Sequence, residues 1–583
     1  MRLFSPIKKI LLTTLLYTTI TSTLLAQPIE IKYRSPLDRE ISLSANFAEI
    51  RAGHFHSGLD LRVGGVAGAK LYAVADGYIT RIFVSPFGYG KAIYINHPNG
   101  ETSVYGHLDR FSNKINKYIE KIQYDTQSFR LDEGINDPEV LPVKKGEVIG
   151  YAGNSGSSFG AHLHFEIRNT HNQNPTNVVK RGIINISDDV PPTIHNVAIF
   201  TLDNSFAIST TRLLKSAKVV KKGNVWVPEG DDVFEVYNPA YIGVCANDYL
   251  PNNRSKFGIY NTKAYIDNNL FYSYTLDEFS FDETRYINSF IDYGELVKND
   301  LSYVKTYIEE GNKLSVYNTV KNNGLIVLND TLQHNIRIEL YDAHKNKTTL
   351  AFKIKKAKKP NPNNTNLLDT EKFRPMLWDM PFTYERENLK IVLAKESLYS
   401  NAIFYADSSE MAKDFYSPIW TIGNENIPLH KQMTISLRAN VPEKFKQQAV
   451  IVKIGKNNKL SSVGGKWDEN NNGFISANVS DFGTYSVVID SIAPTIKVAF
   501  KKAADLRKQN SLKVTIADNL SGIDTYNGYI DGKWALFDYD AKNNALIYKF
   551  DANRIKKGIQ HKLKVVVVDA CKNTQTFETE FLW

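Results

Sequence analysis

Histidine is concentrated in one part of this chain of 583 residues. Seven of the 12 histidines lie between residues 54 and 171, where an even distribution would place between two and three. The same stretch contains no cysteine. Imidazole and carboxylate groups are common ligands of zinc and related ions, so this clustering predicts a metal site built from them. The seven are His54, His56, His97, His107, His162, His164 and His171.

The most informative segment is His162-Leu-His-Phe-Glu-Ile167. Strict alternation of polar and apolar residues predicts a β-strand with His162, His164 and Glu166 on one face. The opposite, apolar face is then free to pack against a core. An isolated pair of histidines on a strand is more often structural than metal-binding, so this segment needs support from a second one.

That second segment is Gly53-His-Phe-His-Ser-Gly-Leu-Asp-Leu-Arg62. In an extended strand, residues four apart are separated by about 13 Å, too far for both to bind one ion at about 2 Å. His56 and Asp60 could share a metal only if residues 57–59 bend, and Gly58 offers the permissive backbone for a bend. His54 remains a competing ligand at this point, because residues 54 and 56 also have the H-x-H spacing.

Four motifs then follow one another in a recognisable order. They are H-S-G-L-D at 56–60, Y-G-H-L at 105–108, V-K-K-G-E-V-I-G at 143–150 and G-N-S-G-S-S-F-G-A-H-L-H-F-E-I at 153–167. Together they resemble the lysostaphin-type (LytM-like) zinc endopeptidases, which cut peptidoglycan peptides. The resemblance covers residues 40 to 185, about a quarter of the chain.

The resemblance implies a role for each motif residue. His56, Asp60 and His164 would bind one Zn²⁺ per chain and leave a fourth position for water. His162 would be the general base toward that zinc-activated water, and His107 would stabilise the oxyanion. The family places its ligand two residues before the glycine, which selects His56 over His54.

Two features depart from the family pattern. Ala161 occupies the position where the family usually has proline, which affects rigidity rather than chemistry. The stretch between His107 and Val143 is longer than in the compact form of the family. Within it, Ile115, Tyr118, Ile119 and Ile122 recur at helical spacing. This predicts a helix, either packed on the edge of the domain or forming a wall or lid of the substrate cleft.

The charge distribution argues against nucleic-acid binding. The net charge is +9, of which +3 belongs to residues 1–26, +2 to residues 27–187 and +4 to the long remainder. No dense basic surface results. Residues 1–26 place Arg2, Lys8 and Lys9 before an apolar run that ends near Ala26, the layout of a cleavable signal peptide. We therefore expect export to the periplasm or cell envelope, or secretion, and no transmembrane segment.

An internal repeat organises the remaining chain. Val190-Pro-Pro-Thr-Ile194 is matched by Ile492-Ala-Pro-Thr-Ile496, and Tyr341-Asp-Ala-His-Lys-Asn346 by Val568-Asp-Ala-Cys-Lys-Asn573. Short strands of period two between turn clusters predict β-sandwiches, and their pattern resembles the immunoglobulin-like (Ig-like) modules of secreted bacterial enzymes. Acidic residues in these modules could bind calcium, but Asp and Asn beside Gly usually shape turns, which is the interpretation we expect.

These observations predict a mostly β protein in which an antiparallel β-sheet zinc peptidase domain is followed by three β-sandwich domains. The predicted boundaries are a signal peptide at 1–26, the peptidase domain at 27–187, an Ig-like sandwich with insertions at 188–358, a linker at 359–366, a sandwich at 367–489 and an Ig-like sandwich at 490–583. We expect each sandwich to fold independently of the peptidase domain.

The expected function is that of an exported zinc metalloendopeptidase acting on peptidoglycan stems or cross-links. The sandwiches would position the enzyme and could contact a protein partner in the cell envelope. An alternative is a catalytically silent member of the same family that binds or activates another cell-wall hydrolase. A secreted adhesin is a third class, but it gives no account of the histidines.

Overall fold

The computed structural model describes residues 30–205, 208–359, 361, 373–468 and 473–583. The predicted signal peptide lies outside these residues, as does most of the predicted linker at 359–366. None of the helices in the described part of the chain combines the length and apolar character that a membrane span needs. The predicted fold class is confirmed: the chain is mostly β, and several β units follow an N-terminal domain.

The N-terminal domain is built on a nine-stranded antiparallel sheet. The strand order is β1-β4-β13-β8-β7-β6-β10, with β11 beside β6 and β14 beside β13. Strands β5, β12 and β9 form a second sheet, and β2 pairs with β3. The elements are β1 (Leu43–Ala45), β2 (Ile50–Arg51), β3 (His54–Phe55), β4 (Leu59–Arg62), β5 (Lys70–Tyr72), β6 (Gly77–Val84), β7 (Lys91–Asn96), β8 (Glu101–Gly106), β9 (Leu108–Phe111), α1 (Asn113–Thr126), β10 (Leu131–Gly134), β11 (Pro142–Val143), β12 (Val148–Ala152), β13 (His162–Asn169) and β14 (Pro175–Thr176).

Helix α1 is the helix predicted from apolar spacing. It buries Ile115 and Ile119 against the domain. Its last turn contacts the C-terminal part of the chain: Tyr124 meets the Trp534 ring edge-on at 5.3 Å, and the Arg554 guanidinium lies 3.8 Å from the Tyr124 ring centre. The helix therefore packs on the domain and joins it to the last β unit.

The second unit is a single eleven-stranded sheet rather than two separate sheets. The long strand β16 pairs with β15 over most of its length and with β17 at its end, which joins the two parts of the sheet, and β18 pairs with β25. The strand order is β22-β19-β15-β16-β17-β25-β24-β20-β21-β23. The elements are β15 (Thr193–Ser205), β16 (Ile208–Lys222), β17 (Val225–Pro228), β18 (Val233–Val236), β19 (Ala240–Asn247), β20 (Asn261–Ile266), β21 (Asn269–Thr275), α2 (Ile287–Phe290), α3 (Tyr293–Asn299), β22 (Val304–Lys305), β23 (Tyr317–Val320), β24 (Gln333–Tyr341) and β25 (Lys347–Lys356).

The third unit contains two five-stranded sheets, β27-β28-β32-β36-β35 and β30-β31-β37-β33-β34, together with the pair β26-β29. This arrangement agrees with a β-sandwich. The strands are β26 (Arg374–Met376), β27 (Phe382–Arg386), β28 (Leu389–Leu393), β29 (Ala402–Phe404), β30 (Ala406–Ser409), β31 (Ile419–Ile422), β32 (Met433–Arg438), β33 (Ala449–Ile454), β34 (Leu460–Gly464), β35 (Lys466–Trp467), β36 (Phe474–Val479) and β37 (Gly483–Ile489).

The fourth unit pairs a four-stranded sheet, β38-β40-β44-β43, with a five-stranded sheet, β39-β46-β45-β41-β42. Its strands are β38 (Thr495–Val498), β39 (Ala504–Asp505), β40 (Ser511–Ala517), β41 (Ile523–Ile530), β42 (Lys533–Ala535), β43 (Asp538–Asp540), β44 (Ala545–Lys549), β45 (Gln560–Asp569) and β46 (Thr574–Leu582). Short 3₁₀ helices lie at Thr284–Tyr286, Asn322–Gly324, Glu443–Gln448, Lys456–Asn458 and Ala541–Asn543.

The two repeat copies begin and end in the same way. Strands β15 and β38 both start at the threonine of a Pro-Thr-Ile sequence. Hairpins β24–β25 and β45–β46 close the copies around equivalent turns, with Tyr341 opposite Lys347 and Val568 opposite Thr574. The internal repeat read from the sequence therefore corresponds to a repeated strand arrangement.

One hydrophobic core crosses the predicted boundary at 187–188. It contains buried residues of both the N-terminal domain and the second unit, whereas most of the third and fourth units' buried apolar residues form two further cores. Phe55 is 1% exposed, and its ring centre lies 5.4 Å from that of Phe279 and 5.6 Å from that of Phe290. The expected independence of the first sandwich does not agree with this shared core.

The shared core predicts how fragments will behave. A fragment of residues 27–187 exposes Phe55 and its neighbours, so it should aggregate or lack a cooperative thermal transition, whereas a fragment of residues 27–358 should melt cooperatively. Circular dichroism on heating measures both. In the full chain, Phe279→Ala should cost about 3–5 kcal/mol. Phe281→Ala, at a side chain that is 39% exposed, should cost less. A soluble 27–187 fragment with an unchanged melting midpoint would contradict the shared core.

Candidate metal centre

Three neighbouring strands bring the predicted site residues together. Strand β13 lies between β4 and β8, and His164 is paired with Asp60 on one side and with Gly106 on the other. His107 directly follows β8. Residues that are distant in the sequence thus meet on neighbouring strands inside the sheet because the register aligns them.

The chain bends between His56 and Asp60, as predicted. Strand β3 ends at Phe55, β4 begins at Leu59, and His56 Nε2 lies 3.1 Å from Asp60 Oδ1. Glycine is required at position 58 for a different reason from the backbone flexibility that we predicted. A Cβ atom there would lie 2.4 Å from the carbonyl oxygen of Phe165 and 3.1 Å from the His164 ring, so lack of space selects glycine.

His56, Asp60 and His164 form a compact cluster of possible ligand atoms. Besides the contact between His56 and Asp60, His164 Nδ1 lies 3.0 Å from Asp60 Oδ1 and 3.1 Å from His56 Nε2. His56 and His164 are buried, and the Asp60 side chain is 14% exposed. A triangle with sides of 3.0–3.1 Å allows one ion to lie about 2 Å from all three atoms, which is the distance that zinc requires.

The other nitrogen of each imidazole is already engaged. His56 Nδ1 lies 2.7 Å from the carbonyl oxygen of Asn46, so it must carry the proton and donate it. His164 Nε2 lies 2.7 Å from Glu166 Oε1 and donates in the same way. In these neutral tautomers, His56 Nε2 and His164 Nδ1 both direct lone pairs toward the Asp60 carboxylate. Three converging acceptors need a cation between them.

The electrostatics of the cluster agree with a positive charge at its centre. Burial would favour a neutral His164, but hydrogen bonds to Asp60 and Glu166 raise its pKa to about 9. Burial would also raise the pKa of Asp60, but the charge of His56 and hydrogen bonds from the neighbouring imidazoles hold it well below its ordinary value. Burial lowers the pKa of His56. A metal ion bound here would replace the proton of His164.

Glu166 binds the side of His164 that faces away from Asp60. We had not predicted this role from the sequence. Its Oε1 accepts hydrogen bonds from Tyr89 at 2.7 Å and Ser57 at 2.8 Å, in addition to His164, and its other oxygen is bound by Arg168. The carboxylate is 1% exposed. Alternation along β13 had placed Glu166 on the same face as the histidines, and this feature of the sequence could have identified it. Tyr89 and the Asn46 carbonyl had no such signal.

His162 and His107 lie beside the cluster. His162 Nδ1 lies 2.8 Å from the Gly160 carbonyl oxygen, whereas its buried Nε2 has no hydrogen-bond partner and is 3.4 Å from Asp60 Oδ1. His107 Nδ1 lies 2.9 Å from the Ser155 carbonyl oxygen. The ring centres of His107 and His162 are 4.8 Å apart. Burial, with His164 and His162 nearby, lowers the pKa of His107 to about 3.

The other histidines of this stretch lie outside the cluster. His54 is exposed and contacts only the Ala52 carbonyl oxygen by hydrogen bonding, so the structure does not bring it to the metal centre. His97 is buried between the Asp76 carbonyl oxygen at 2.9 Å and Ser103 Oγ at 2.8 Å. His171 is exposed in a turn.

The fourth β unit contacts the loop that holds His107 in place. Lys542 Nζ donates to the carbonyl oxygens of Asn154 and Gly156, on either side of Ser155. Lys91 and Asp538 form an ion pair at 2.6 Å, and the Lys91 side chain is 14% exposed. The C-terminal unit therefore lies close enough to the site to influence it.

Two family models match the chain. The model of peptidase family M23 matches residues 54–124 and 139–178, which include all five predicted site residues. The unmatched residues between these ranges belong to the long stretch before Val143. The model of the Zu5-like domain matches residues 374–490, almost the same range as the sandwich predicted at 367–489.

Relatives match the same region. A DD-carboxypeptidase/endopeptidase Mpg of Neisseria meningitidis serogroup B is 36% identical over 124 residues, 21% of this chain and 22% of that protein. An uncharacterized metalloprotease of Haemophilus influenzae is 29% identical over 139 residues, 23% of this chain and 24% of that protein. The chain thus spans about a fifth to a quarter of the length of these curated relatives.

Among solved structures, the chain is similar to the catalytic domain of the antimicrobial peptidase lysostaphin from Staphylococcus simulans. The identity is 23%, the match covers 21% of this chain and 76% of that one, and the TM-score is 0.16. The family model and the curated relatives carry the assignment, and they match the region that contains the His56, Asp60 and His164 cluster. The N-terminal domain of this chain is therefore a peptidase M23 domain of the lysostaphin (LytM) type.

Proposed function

We propose that the chain is an exported zinc metalloendopeptidase that hydrolyses peptide bonds in peptidoglycan stems or cross-links. The observation that carries this proposal is the convergence of His56 Nε2, Asp60 Oδ1 and His164 Nδ1 within 3.0–3.1 Å of one another, with no proton between them in the tautomers that their outer partners specify. The M23 domain supports peptidase activity.

The residues present fit a catalytic zinc ion. Two imidazole nitrogens and one carboxylate oxygen are three protein ligands, the number found in catalytic zinc sites, and both imidazoles are oriented by hydrogen bonds on the far side. When bound, zinc supplies Lewis-acid chemistry: it lowers the pKa of water to about 7 and polarises a peptide carbonyl.

His162 is the best-placed general base. Its Nδ1 proton is held by the Gly160 carbonyl oxygen, which leaves the Nε2 lone pair facing the cluster. Asp60 Oδ1 lies 3.4 Å from this nitrogen and stabilises the positive charge that forms when His162 accepts a proton from the attacking water. The same proton can then be passed to the leaving amine.

His107 requires a different protonation state for its proposed role. The bond to the Ser155 carbonyl oxygen specifies a proton on Nδ1, so Nε2 of the neutral ring can only accept. To stabilise an oxyanion, His107 must carry a proton on Nε2 as well, or rotate to the other tautomer. We propose that the negative charge of the tetrahedral intermediate favours this protonated form, against the low pKa of the unliganded site.

The substrate class comes from the relatives. The Neisseria protein is described as a DD-carboxypeptidase/endopeptidase, and peptidoglycan peptides are the substrates expected from the motif resemblance. Action outside the cytoplasm, in the periplasm or cell envelope or after secretion, follows from that substrate. The β units would position the domain on the wall or on an envelope partner.

A catalytically silent relative that only binds or activates another hydrolase is the alternative. Such a protein has no need for the ligand triad or for His162. All five predicted site residues are present. Glu166, which is buried, holds His164, and the Asn46 carbonyl group holds His56. We therefore favour the enzyme.

Zinc content tests the ligand assignment. The purified protein should hold about one zinc ion in this site, and His56→Ala or His164→Ala should lose it, because two ligands hold zinc poorly. His54→Ala is the matched control: it removes the other histidine of the same H-x-H spacing and should keep its zinc. Metal analysis by mass spectrometry decides, and full occupancy in His164→Ala would refute the assignment.

Digestion of defined peptidoglycan fragments tests the activity and separates the two histidine roles. The wild-type protein should release peptides with a new amino terminus, identified by mass spectrometry. His162→Ala and His107→Ala should keep zinc and each lose at least about a hundredfold in rate.

Glutamine variants distinguish a proton acceptor from a hydrogen-bond donor. A side-chain amide can donate but cannot accept a proton at neutral pH, so His107→Gln should recover part of the activity and His162→Gln should not. Recovery at position 162 alone would reverse the two roles. A zinc-loaded wild-type protein that cleaves none of the fragments would instead support the silent alternative.

A further inference from the structure

Each repeat copy contains a cluster of three aspartates at equivalent places. In the first copy, Asp188 precedes the opening strand, Asp248 follows β19, and Asp342 starts the turn of the closing hairpin. In the second copy, the corresponding residues are Asp490, Asp518 after β40, and Asp569. In both clusters, three side chains lie close enough to share one ion: Asp188, Asp342 and His344 in the first, and Asp490, Asp518 and Asp569 in the second.

The first cluster contains buried oxygen atoms without a hydrogen-bond partner. The Asp188 side chain is 1% exposed, and Asp248 is 6% exposed. Asp188 Oδ2 and Asp248 Oδ1 accept no hydrogen bond. An unpaired buried carboxylate oxygen is costly, and two of them in one cluster need positive charge nearby. His344 Nδ1 is 3.5 Å from Asp188 Oδ2, too far for a good hydrogen bond.

Backbone and amide groups hold the carboxylates in place and leave these oxygens free. Val190 N–H donates to Asp188 Oδ1 at 3.0 Å. Asn346 donates to both oxygens of Asp342, from its backbone at 2.9 Å and from its side chain at 2.7 Å. All of these donors are neutral. Within the described part of the chain, no Lys or Arg nitrogen lies within 4.0 Å of the three aspartates.

The second cluster repeats this arrangement. Asn573 donates to both oxygens of Asp569 at 2.8 Å, as Asn346 does for Asp342. Asp518 Oδ2 accepts from the Gly522 backbone at 2.7 Å, whereas its buried Oδ1 has no partner. Cys571 replaces His344 at the equivalent position, and its thiol faces the Gln448 carbonyl oxygen instead. The carboxylates are thus the part that both copies share.

From this duplicated geometry we infer that each repeat copy binds one calcium ion, between Asp188, Asp342 and His344 in the first and between Asp490, Asp518 and Asp569 in the second. Asp248 faces the same cavity as the first group. Calcium prefers carboxylate and carbonyl oxygens and tolerates irregular coordination, which fits sites made of aspartates at loop ends. The sequence predicted that these aspartates shape turns, and several of their oxygens do accept backbone hydrogen bonds. Turn formation does not account for the buried oxygens that accept none.

The first cluster borders a cavity with room for an ion, and residues next to the candidate zinc ligands also line this cavity. A cavity of about 30 Å³ is lined by Asp188, Asp248, His344 and Asn46, among others.

A short path of hydrogen bonds connects Asp248 to His56. Asp248 exchanges two backbone hydrogen bonds of 3.0 Å with Phe257, and the next residue, Gly258, exchanges two of 2.9 Å with the Asn46 side chain. The Asn46 carbonyl oxygen in turn accepts the proton of His56. Calcium at the first cluster therefore stiffens the support of a proposed zinc ligand.

Calcium titration of the full-length, zinc-loaded protein tests the inference. After passage over a chelating resin, with zinc content checked, isothermal titration with CaCl₂ should show two ions per chain with Kd of roughly 10⁻⁴ to 10⁻³ M, the range of extracellular calcium modules. Asp188→Asn and Asp518→Asn should each remove one ion, and the double variant both. Asp231→Asn and Asp505→Asn, exposed residues of the same two units, are matched controls that should keep both ions.

A second measurement distinguishes loss of calcium binding from misfolding of a variant. Saturating calcium should raise the thermal unfolding midpoint of the wild-type protein, and the double variant should lose this shift. A wild-type protein that binds no calcium up to about 5 mM, or that takes up zinc at these clusters in place of calcium, overturns the inference. So do folded variants at both clusters that bind calcium as the wild type does.

Discussion

The metal centre depends on three acceptor atoms that face one another without a shared proton. The Asn46 carbonyl oxygen and Glu166 fix the tautomers of His56 and His164, so that both imidazoles direct lone pairs at the Asp60 carboxylate. Such a cluster is stable only with a cation at its centre or with an extra proton on His164. The register of β4, β13 and β8, the missing Cβ at Gly58 and the buried Glu166 network all maintain this convergence.

The appended β units are part of this support. The second unit contributes Phe279 and Phe290 to the core around Phe55, one residue before His56. The fourth unit holds the loop around Ser155, whose carbonyl oxygen binds His107. Through these contacts, the second and fourth units support a site that lies entirely in the N-terminal domain. We therefore expect folding of the N-terminal domain to depend on the units that follow.

Local patterns predicted much of this arrangement. Alternation predicted strand β13 and its histidine face, apolar spacing predicted α1, and the spacing of His56 and Asp60 required the bend that the structure contains. The repeat was readable because both copies keep the same turn residues. The family resemblance, rather than spacing, separated His56 from His54. In the structure, His54 is exposed and lies outside the cluster.

Long-range contacts could not be predicted from these patterns. Asn46 acts through its backbone carbonyl, which no side-chain pattern marks, and Tyr89 reaches Glu166 across 77 positions of sequence. The sequence suggested that Gly58 provides a flexible backbone, but the structure requires glycine there because Phe165 and His164 approach too closely for a side chain. The shared core and the contact of the fourth unit depend on how separate units pack, which sequence periodicity does not describe.

We propose that one zinc ion is held by His56 Nε2, Asp60 and His164 Nδ1. A crystal structure of the zinc-loaded full-length protein, with anomalous data collected on both sides of the zinc absorption edge, tests it most directly. We expect one strong anomalous peak about 2 Å from each of these three ligands, with Glu166 still hydrogen-bonded to His164 Nε2. A peak bound instead by Glu166 and His164 Nε2, or no peak between β4 and β13, would contradict it.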